Sequence, residues 1–144
     1  MTKYESDIKT ISSNEEVVFN VLSDLTNLEK LRQINELSDK LKDAQFDKDS
    51  CKFTIDGLGQ AGFRIIEREP YKTIKFESEN SPFLVNIWIQ LKQVAENDTR
   101  MKLTLKAEIP TMVKMMVDKK LKEGINKIAD VIAQALSNSS IKTE

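Results

Sequence analysis

An apolar seam near the C-terminal end of the chain constrains its fold more than any other feature of the sequence. Six residues recur at spacings of 4, 3, 4, 3 and 4, which is the period of one face of an α-helix. At about 1.5 Å per residue, a helix from Thr111 to Leu136 is on the order of 40 Å long, enough to cross a whole sheet face. Gly124 lies in the seam, where a missing side chain permits close backbone approach to that sheet. The seam consists of Val117, Leu121, Gly124, Ile128, Val131 and Ala135.

The sheet is predicted by alternating apolar and polar residues between Leu41 and Ile109. Turn residues at 47–50, 80–82 and 96–98 divide this stretch into short segments. Because such short connections join antiparallel neighbours, we expect a six-stranded meander with one solvent-exposed face and one apolar face. The apolar set that turns inward, together with the helix seam, includes Phe53, Ile55, Phe63, Phe76, Ile87, Ile89, Leu103 and Leu121.

The N-terminal part of the chain predicts one strand and two short helices. Residues 3–11 alternate, with Tyr4, Ser6, Ile8 and Thr10 on one side. Ser13 and Glu16 have the spacing of a capping box at the start of a short helix. In the next helix Asn27 is the expected cap, and the apolar residues are Leu28, Leu31, Ile34 and Leu37. The order β-α-α-β6-α predicts an α+β fold, in which seven antiparallel strands wrap around a long C-terminal helix in a single domain over residues 1–144.

Composition excludes several kinds of chemistry. The chain has no histidine and a single cysteine, Cys51, so histidine-based catalysis, histidine-ligated metals and disulfide frameworks are excluded. A net charge of −1 offers no long-range attraction for nucleic acid or an anionic membrane. We find no apolar run long enough to span a bilayer and no signal-peptide core. We therefore expect a cytoplasmic protein that inserts into no membrane, binds no nucleic acid and needs no metal or cofactor.

Two stretches of the sequence resemble a known superfamily. The stretch ISSNEEVVFNVLSDLTNL, which ends at Leu28, is similar to the entry into the first helix of START-related, birch-pollen-allergen-like proteins, the SRPBCC or helix-grip superfamily. The corner Glu69-Pro70-Tyr71 is similar to the Glu-Pro-Pro corner of that superfamily, although a tyrosine replaces the second proline. These motifs mark the start of a helix and a corner between strands, so they identify a fold and not an activity.

The resemblance implies a cavity between the curved sheet and the long helix, in which many relatives hold sterols, lipids, polyketides or hormones. It therefore implies binding or transport of a small apolar molecule. Other superfamily members activate a chaperone ATPase by protein contact, and others are polyketide cyclases or aromatases, so these are the alternatives. The inward residues from Phe53 to Leu121 serve equally as cavity lining or as a filled core.

Three methionines, Met112, Met115 and Met116, fall on the helix face opposite the seam. In one interpretation they form an adaptable apolar patch, with Met112 and Met116 at the mouth of the cavity, that grips a ligand or a partner. In the other, the helix is irregular there and the methionines pack under neighbouring loops.

Two further residues are candidates on the sheet. Glu67 shares the parity of Phe63 and Ile65, so strict alternation turns it inward, where a carboxylate with a raised pKa is a candidate acid for a cyclase-like enzyme. The alternative is a solvated Glu67 at the end of the strand. Trp88 has the opposite parity to Ile87, which predicts an outer-face anchor for a protein partner or a second copy of the chain; the alternative is an isolated aromatic residue on the surface.

Overall fold

An antiparallel sheet and two α-helices make up the part of the chain that the computed structural model describes, which is residues 1–33, 43–55 and 59–137. For residues 31–33 and 55 only the backbone is described. The strands are β1 (Thr2–Glu5), β2 (Lys9–Ile11), β3 (Gln45–Phe46), β4 (Ser50–Ile55), β5 (Gly59–Glu69), β6 (Thr73–Glu79), β7 (Val85–Ala95) and β8 (Asp98–Ala107). The helices are α1 (Glu15–Leu22), a 3-10 helix (Leu25–Gln33) and α2 (Thr111–Ser137).

The strands follow the order β1-β8-β7-β6-β5-β4-β3 across the sheet, and β2 also pairs with β8. Consecutive strands from β3 to β8 are therefore neighbours, and every pair is antiparallel. This confirms the predicted six-stranded meander and the α+β helix-grip architecture. Because β1 and β2 lie one after the other along β8, they share the place of the single first strand in the prediction.

The first predicted strand is interrupted between β1 and β2. From Glu5 to Lys9 the chain advances four residues while β8 advances three. The hydroxyl oxygen of Ser6 accepts a backbone N–H of β8 at 2.9 Å in this gap, so a side chain replaces a backbone acceptor. The extra residue shifts the alternation. Ile8, predicted on the same side of the strand as Tyr4, is therefore 66% exposed, whereas Tyr4 is buried.

Helix α1 is confirmed, but it begins with a different cap. The Oδ1 atom of Asn14 accepts the Val17 N–H at 2.9 Å, which makes Asn14 the N-cap. Ser13 is buried, and its carbonyl oxygen accepts the hydroxyl proton of Thr99 at 2.7 Å. The predicted capping role of Ser13 is therefore wrong, because this residue ties the start of the helix to β8.

The second predicted helix is a 3-10 helix as far as it is described. Ile34 and Leu37, which extend that prediction, lie outside the described residues. Asn27, the expected cap, instead donates its Nδ2 proton to the carbonyl oxygen of Val21 at 3.0 Å, at the end of α1. The side chain therefore closes the preceding helix rather than opening the next one.

Helix α2 covers one edge of the inner face, the sheet face that carries Phe76, Ile89 and Leu103. It packs on β1, β2 and β8, and its buried residues begin only at Ile125. Helix α1 packs on β6, β7 and β8, and four of its eight residues are buried. The prediction that the long helix crosses the whole apolar face is therefore wrong, because α1 takes up the middle of that face.

Polar contacts hold α2 beside the N-terminal strands. The Tyr4 hydroxyl donates to Oδ1 of Asp118 at 2.6 Å, and the backbone N–H of Asp7 donates to the side chain of Asn126 at 2.7 Å. Further along, Lys9 forms a salt bridge of 2.7 Å with the carboxylate of Asp130. Burial, followed by the contact with Asp118, raises the pKa of Tyr4 to about 12.

Gly124 generates the first prediction. A Cβ atom at this position meets nothing within 4 Å, so the expected close approach of the backbone to the sheet is wrong. Because glycine in a helix interior costs about 0.5–1 kcal/mol relative to alanine, Gly124→Ala should raise the free energy of unfolding by about that amount. Urea denaturation measures the change, and a loss of stability would show that the sheet does approach this turn.

The Tyr4–Asp118 hydrogen bond predicts a pH dependence at alkaline pH. The pKa of Tyr4 in the folded state lies above its ordinary value of about 10, so the stabilisation is complete below that pH and is lost as the pH rises through about 12. Denaturant unfolding below and above this window should show a smaller loss of stability for Tyr4→Phe than for the wild type. Tyr71→Phe, at an exposed turn, is the control and should behave as the wild type. An equal loss in both variants would contradict the prediction.

Candidate functional site

The first half of α2 extends along the sheet without being buried by it. From residue 111 to residue 122 no side chain is buried. The half-buried side chains in this stretch are Val113, Val117 and Leu121, which share one side of the helix. The burial of α2 is therefore confined to its second half.

The methionine face, which consists of Met112, Met115 and Met116, lies on the opposite side of this half. These side chains are 79%, 78% and 77% exposed. Their spacing of i, i+3 and i+4 places them next to one another on the helix surface. The interpretation in which neighbouring loops cover the methionines is therefore wrong. The predicted placement opposite the seam is confirmed.

An open depression of about 460 Å³ adjoins the start of α2. Its last lining residue, Pro110, directly precedes the helix. Leu84, whose carbonyl oxygen accepts the Glu108 N–H at 3.0 Å, is 41% exposed beside it, and Met1 is 68% exposed. Exposed apolar surface therefore continues beyond the methionine face. The depression is lined by Met1, Thr2, Phe83, Glu108, Ile109 and Pro110.

Four of the predicted ligand-binding residues belong to the packed core. Each is at most 7% exposed, and they lie on strands β5 to β8 in one continuous apolar cluster. Side chains buried to this degree contact other side chains and leave little surface for a ligand. These residues are Phe63, Phe76, Ile89 and Leu103.

The other predicted ligand-binding residues lie at the border of the core or outside it. Phe53, Ile87 and Leu121 are half-buried and pack against the core cluster, and the Phe53 ring stacks on Phe63 at 6.0 Å. The side chain of Ile55 lies outside the described residues. Met112 and Met116 point to solvent, so the structure does not bring them together with the inward set.

Open space remains beside α2 at Gly124. Gly124, on the half-buried side of the helix, has nothing within 4 Å of the position of a Cβ atom. Leu121 and Ile128, one turn before and one turn after it, are half-buried. Two open depressions lie elsewhere, one at the start of α2 and one on the outer face of the sheet.

Glu67 does not face the core. The β5–β6 ladder shifts register between Ile65 and Glu67, and the inserted residue, Ile66, is 44% exposed. This bulge turns Glu67 to the outer face, where it is exposed opposite Lys75. The predicted inward orientation is therefore wrong, because strict alternation does not hold across a bulge. A cyclase-like mechanism loses its candidate internal acid.

Two other groups are poor bases at neutral pH. Burial raises the pKa of the Cys51 thiol to about 11, so the thiolate that acts as nucleophile is scarce. The raised pKa of Tyr4 has the same consequence, because its phenolate is also scarce at neutral pH.

Within residues 1–33, 43–55 and 59–137, no group of three or more acidic, cysteine or histidine side chains is placed to hold a metal ion. None of the helices described is long and apolar enough to cross a membrane.

Trp88 lies on the outer face, as its parity predicts. It is half-buried between β6 and β8, directly opposite Lys75 and Thr104. The Nζ atoms of Lys75 and Lys106 lie 5.2 Å and 5.5 Å from the centre of its ring. Sequence reasoning missed these two lysines. Their outward parity on β6 and β8 is visible in the sequence, but only the strand register places both beside Trp88.

Comparison with known proteins identifies the fold. No protein-family model and no curated protein matches the sequence. In the solution structure of the Aha1 dimer from Colwellia psychrerythraea, the chain is 20% identical to this one, with a TM-score of 0.63 over 95% of this chain and 97% of that chain. An HSP90 activator from Plasmodium falciparum is 23% identical, with a TM-score of 0.52 over 76% and 75%. A START superfamily protein from Mycobacterium smegmatis is 11% identical, with a TM-score of 0.61 over 93% and 96%. The chain therefore has the helix-grip fold of START-related and Aha1-type proteins.

Proposed function

We propose that this protein is an interaction module that inserts the exposed half of α2 into an apolar groove of a partner protein. The observation that carries the proposal is the exposure of all three side chains of the methionine face, between 77% and 79%. Adjacent exposed apolar side chains on a protein surface are typical of protein-binding sites. Methionine suits such a site because its flexible, polarisable side chain adapts to the surface that it meets.

The spacing of the methionines supports one mode of recognition. An amphipathic helix that docks in a groove presents anchors at i, i+3 and i+4, and Met112, Met115 and Met116 have this spacing. Burying one methionine side chain contributes on the order of 1.5–3 kcal/mol. The depression beside Pro110 adds surface against which the rim of the groove packs.

An Hsp90-type chaperone ATPase is the partner class that we propose first. Two proteins of the same fold are described as Aha1 and as an HSP90 activator. Their identity to this chain, 20% and 23%, supports the choice of partner to test and nothing finer. The docking of α2 does not depend on this choice, because it rests on the exposed helix itself.

The double substitution Met112→Lys and Met116→Lys tests the proposed function. The substitutions remove two apolar anchors from α2 and replace them with ammonium groups, which are costly to bury in an apolar groove. Binding to a purified Hsp90-type ATPase should therefore weaken at least about tenfold. Because both side chains are exposed, the free energy of unfolding should stay within about 0.5 kcal/mol of the wild type. Titration calorimetry measures binding, and chemical denaturation measures stability.

Asn20→Lys together with Gln134→Lys is the matched control. Both residues are exposed helix positions away from the methionine face, so this variant adds the same charge and should bind as the wild type. Equal binding by the two double variants would refute docking through the methionine face. If the wild-type protein neither binds the ATPase nor changes its rate of hydrolysis, the proposed partner class is wrong.

A second candidate function is the binding of a small apolar molecule between α2 and the sheet. The open space at Gly124 and the half-buried side chains of Phe53, Ile87 and Leu121 favour it. Apolar ligands are held by desolvation in such clefts. In this arrangement the ligand lies on the seam side of α2, away from the methionine face.

Native mass spectrometry of the purified wild-type chain tests the second candidate. A carrier should retain extra mass that organic extraction removes. Gly124→Leu places a side chain in the open space and should lower the retained fraction, while Gly124→Ala, which adds one methyl group, should retain most of it. A wild-type mass equal to that of the bare chain would contradict the second candidate and would leave the proposed interaction through α2 unaffected.

A further inference from the structure

The outer face of the sheet carries a second feature of interest, on the side remote from α2. A depression of about 340 Å³ opens over β1, β7 and β8 beside Trp88. Neither helix packs on this face, since the buried side chains of both belong to the inner core cluster. The depression is lined by Lys3, Glu5, Trp88, Gln90, Lys102, Thr104 and Lys106.

Positive charge dominates this depression. Glu5 is its single acidic lining residue, and it is already paired with Lys102 at 2.8 Å and with Lys3 at 3.8 Å. These two ammonium groups lower the pKa of the Glu5 carboxyl group, first through the hydrogen bond from Lys102. The charge of this carboxylate is therefore more than balanced within the depression itself.

Lys106 lines the depression, and Lys75 flanks it from β6, on the other side of Trp88. Both ammonium groups lie over Trp88, and neither forms a salt bridge with a carboxylate in the described part of the chain. Glu67 faces Lys75 across the β5–β6 ladder, so the cluster of positive charge around Trp88 ends at this acidic residue. A tryptophan ring orients both ammonium groups while their charge stays available to an incoming anion.

Gln90 adds a positioned hydrogen-bond donor. The hydroxyl of Thr104 donates to Oε1 of Gln90 at 2.9 Å, and Thr104 is 4% exposed. The acceptor end of the amide is therefore occupied, and its N–H donors are available to an acceptor in the depression. The site combines two ammonium groups, an amide donor and the apolar surface of Trp88.

We propose that this outer-face site binds an acidic segment of a partner protein, with a carboxylate between Lys75 and Lys106 and a neighbouring apolar side chain on Trp88. Carboxylates accept hydrogen bonds from ammonium and amide groups. The aromatic ring predicts a preference for a peptide that mixes acidic and apolar residues. The net charge of −1 offers no long-range attraction for an extended polyanion or an anionic membrane, so a short acidic segment that fits the local charge beside Trp88 is favoured.

The test uses the full chain and an unlabelled synthetic peptide in which glutamate alternates with leucine and valine. Trp88 is the only tryptophan, so its own fluorescence reports binding at the site. The acidic peptide should change that fluorescence saturably, and the same peptide with glutamine in place of glutamate should not. Because the contacts are ionic and exposed, affinity should fall as the ionic strength rises from about 0.05 M to about 0.3 M.

Lys75→Gln together with Lys106→Gln should weaken peptide binding at least about tenfold. Lys122→Gln together with Lys127→Gln removes the same charge from exposed positions on α2 and should bind as the wild type. The Met112→Lys and Met116→Lys variant should also retain the acidic peptide, which separates this site from the proposed function.

Three results would overturn the proposal. Equal affinity in the two lysine variants would show that net charge and not this site attracts the peptide. Equal binding of the glutamine peptide would remove the carboxylate from the account. Binding of anionic phospholipid vesicles or of a single-stranded RNA oligonucleotide in the absence of peptide binding would assign the face to another class of partner.

Discussion

The division of the inner sheet face between two helices controls the rest of this structure. Helix α1 buries four side chains over β6, β7 and β8, so α2 is left with the edge formed by β1, β2 and β8. Only the half of α2 from Ile125 onward finds enough apolar surface there to be buried. The first half is a regular helix that carries three exposed methionines. Exposed apolar surface in this protein is thus a consequence of how its core is filled.

The sequence predicts the architecture well because periodicity is a local property. The seam from Val117 to Ala135 and the alternation from β4 to β8 require no knowledge of neighbouring elements. The methionines also fall on the predicted side of α2. How far α2 is buried could not be predicted, since that depends on the place that α1 takes on the sheet.

The errors in the prediction arise where one residue is inserted or one side chain replaces the backbone. The bulge at Ile66 turns Glu67 outward, and the Ser6 hydroxyl replaces a backbone acceptor beside β8. Neither departure is marked by an unusual composition or charge at its position, so neither has a clear signal in the sequence. The lysines beside Trp88 show the same limit, because cross-strand register and not parity alone brings Lys75 and Lys106 to one ring.

Methionine methyl NMR with a soluble paramagnetic agent tests the central claim most directly. The chain has five methionines, and Met101, which is 0% exposed, is an internal reference for a buried methyl group. The account predicts strong relaxation enhancement of the methyl groups of Met112, Met115 and Met116, with little effect on Met101. Protection of the three helix methyl groups to the level of Met101 would contradict it, because the first half of α2 would then be covered.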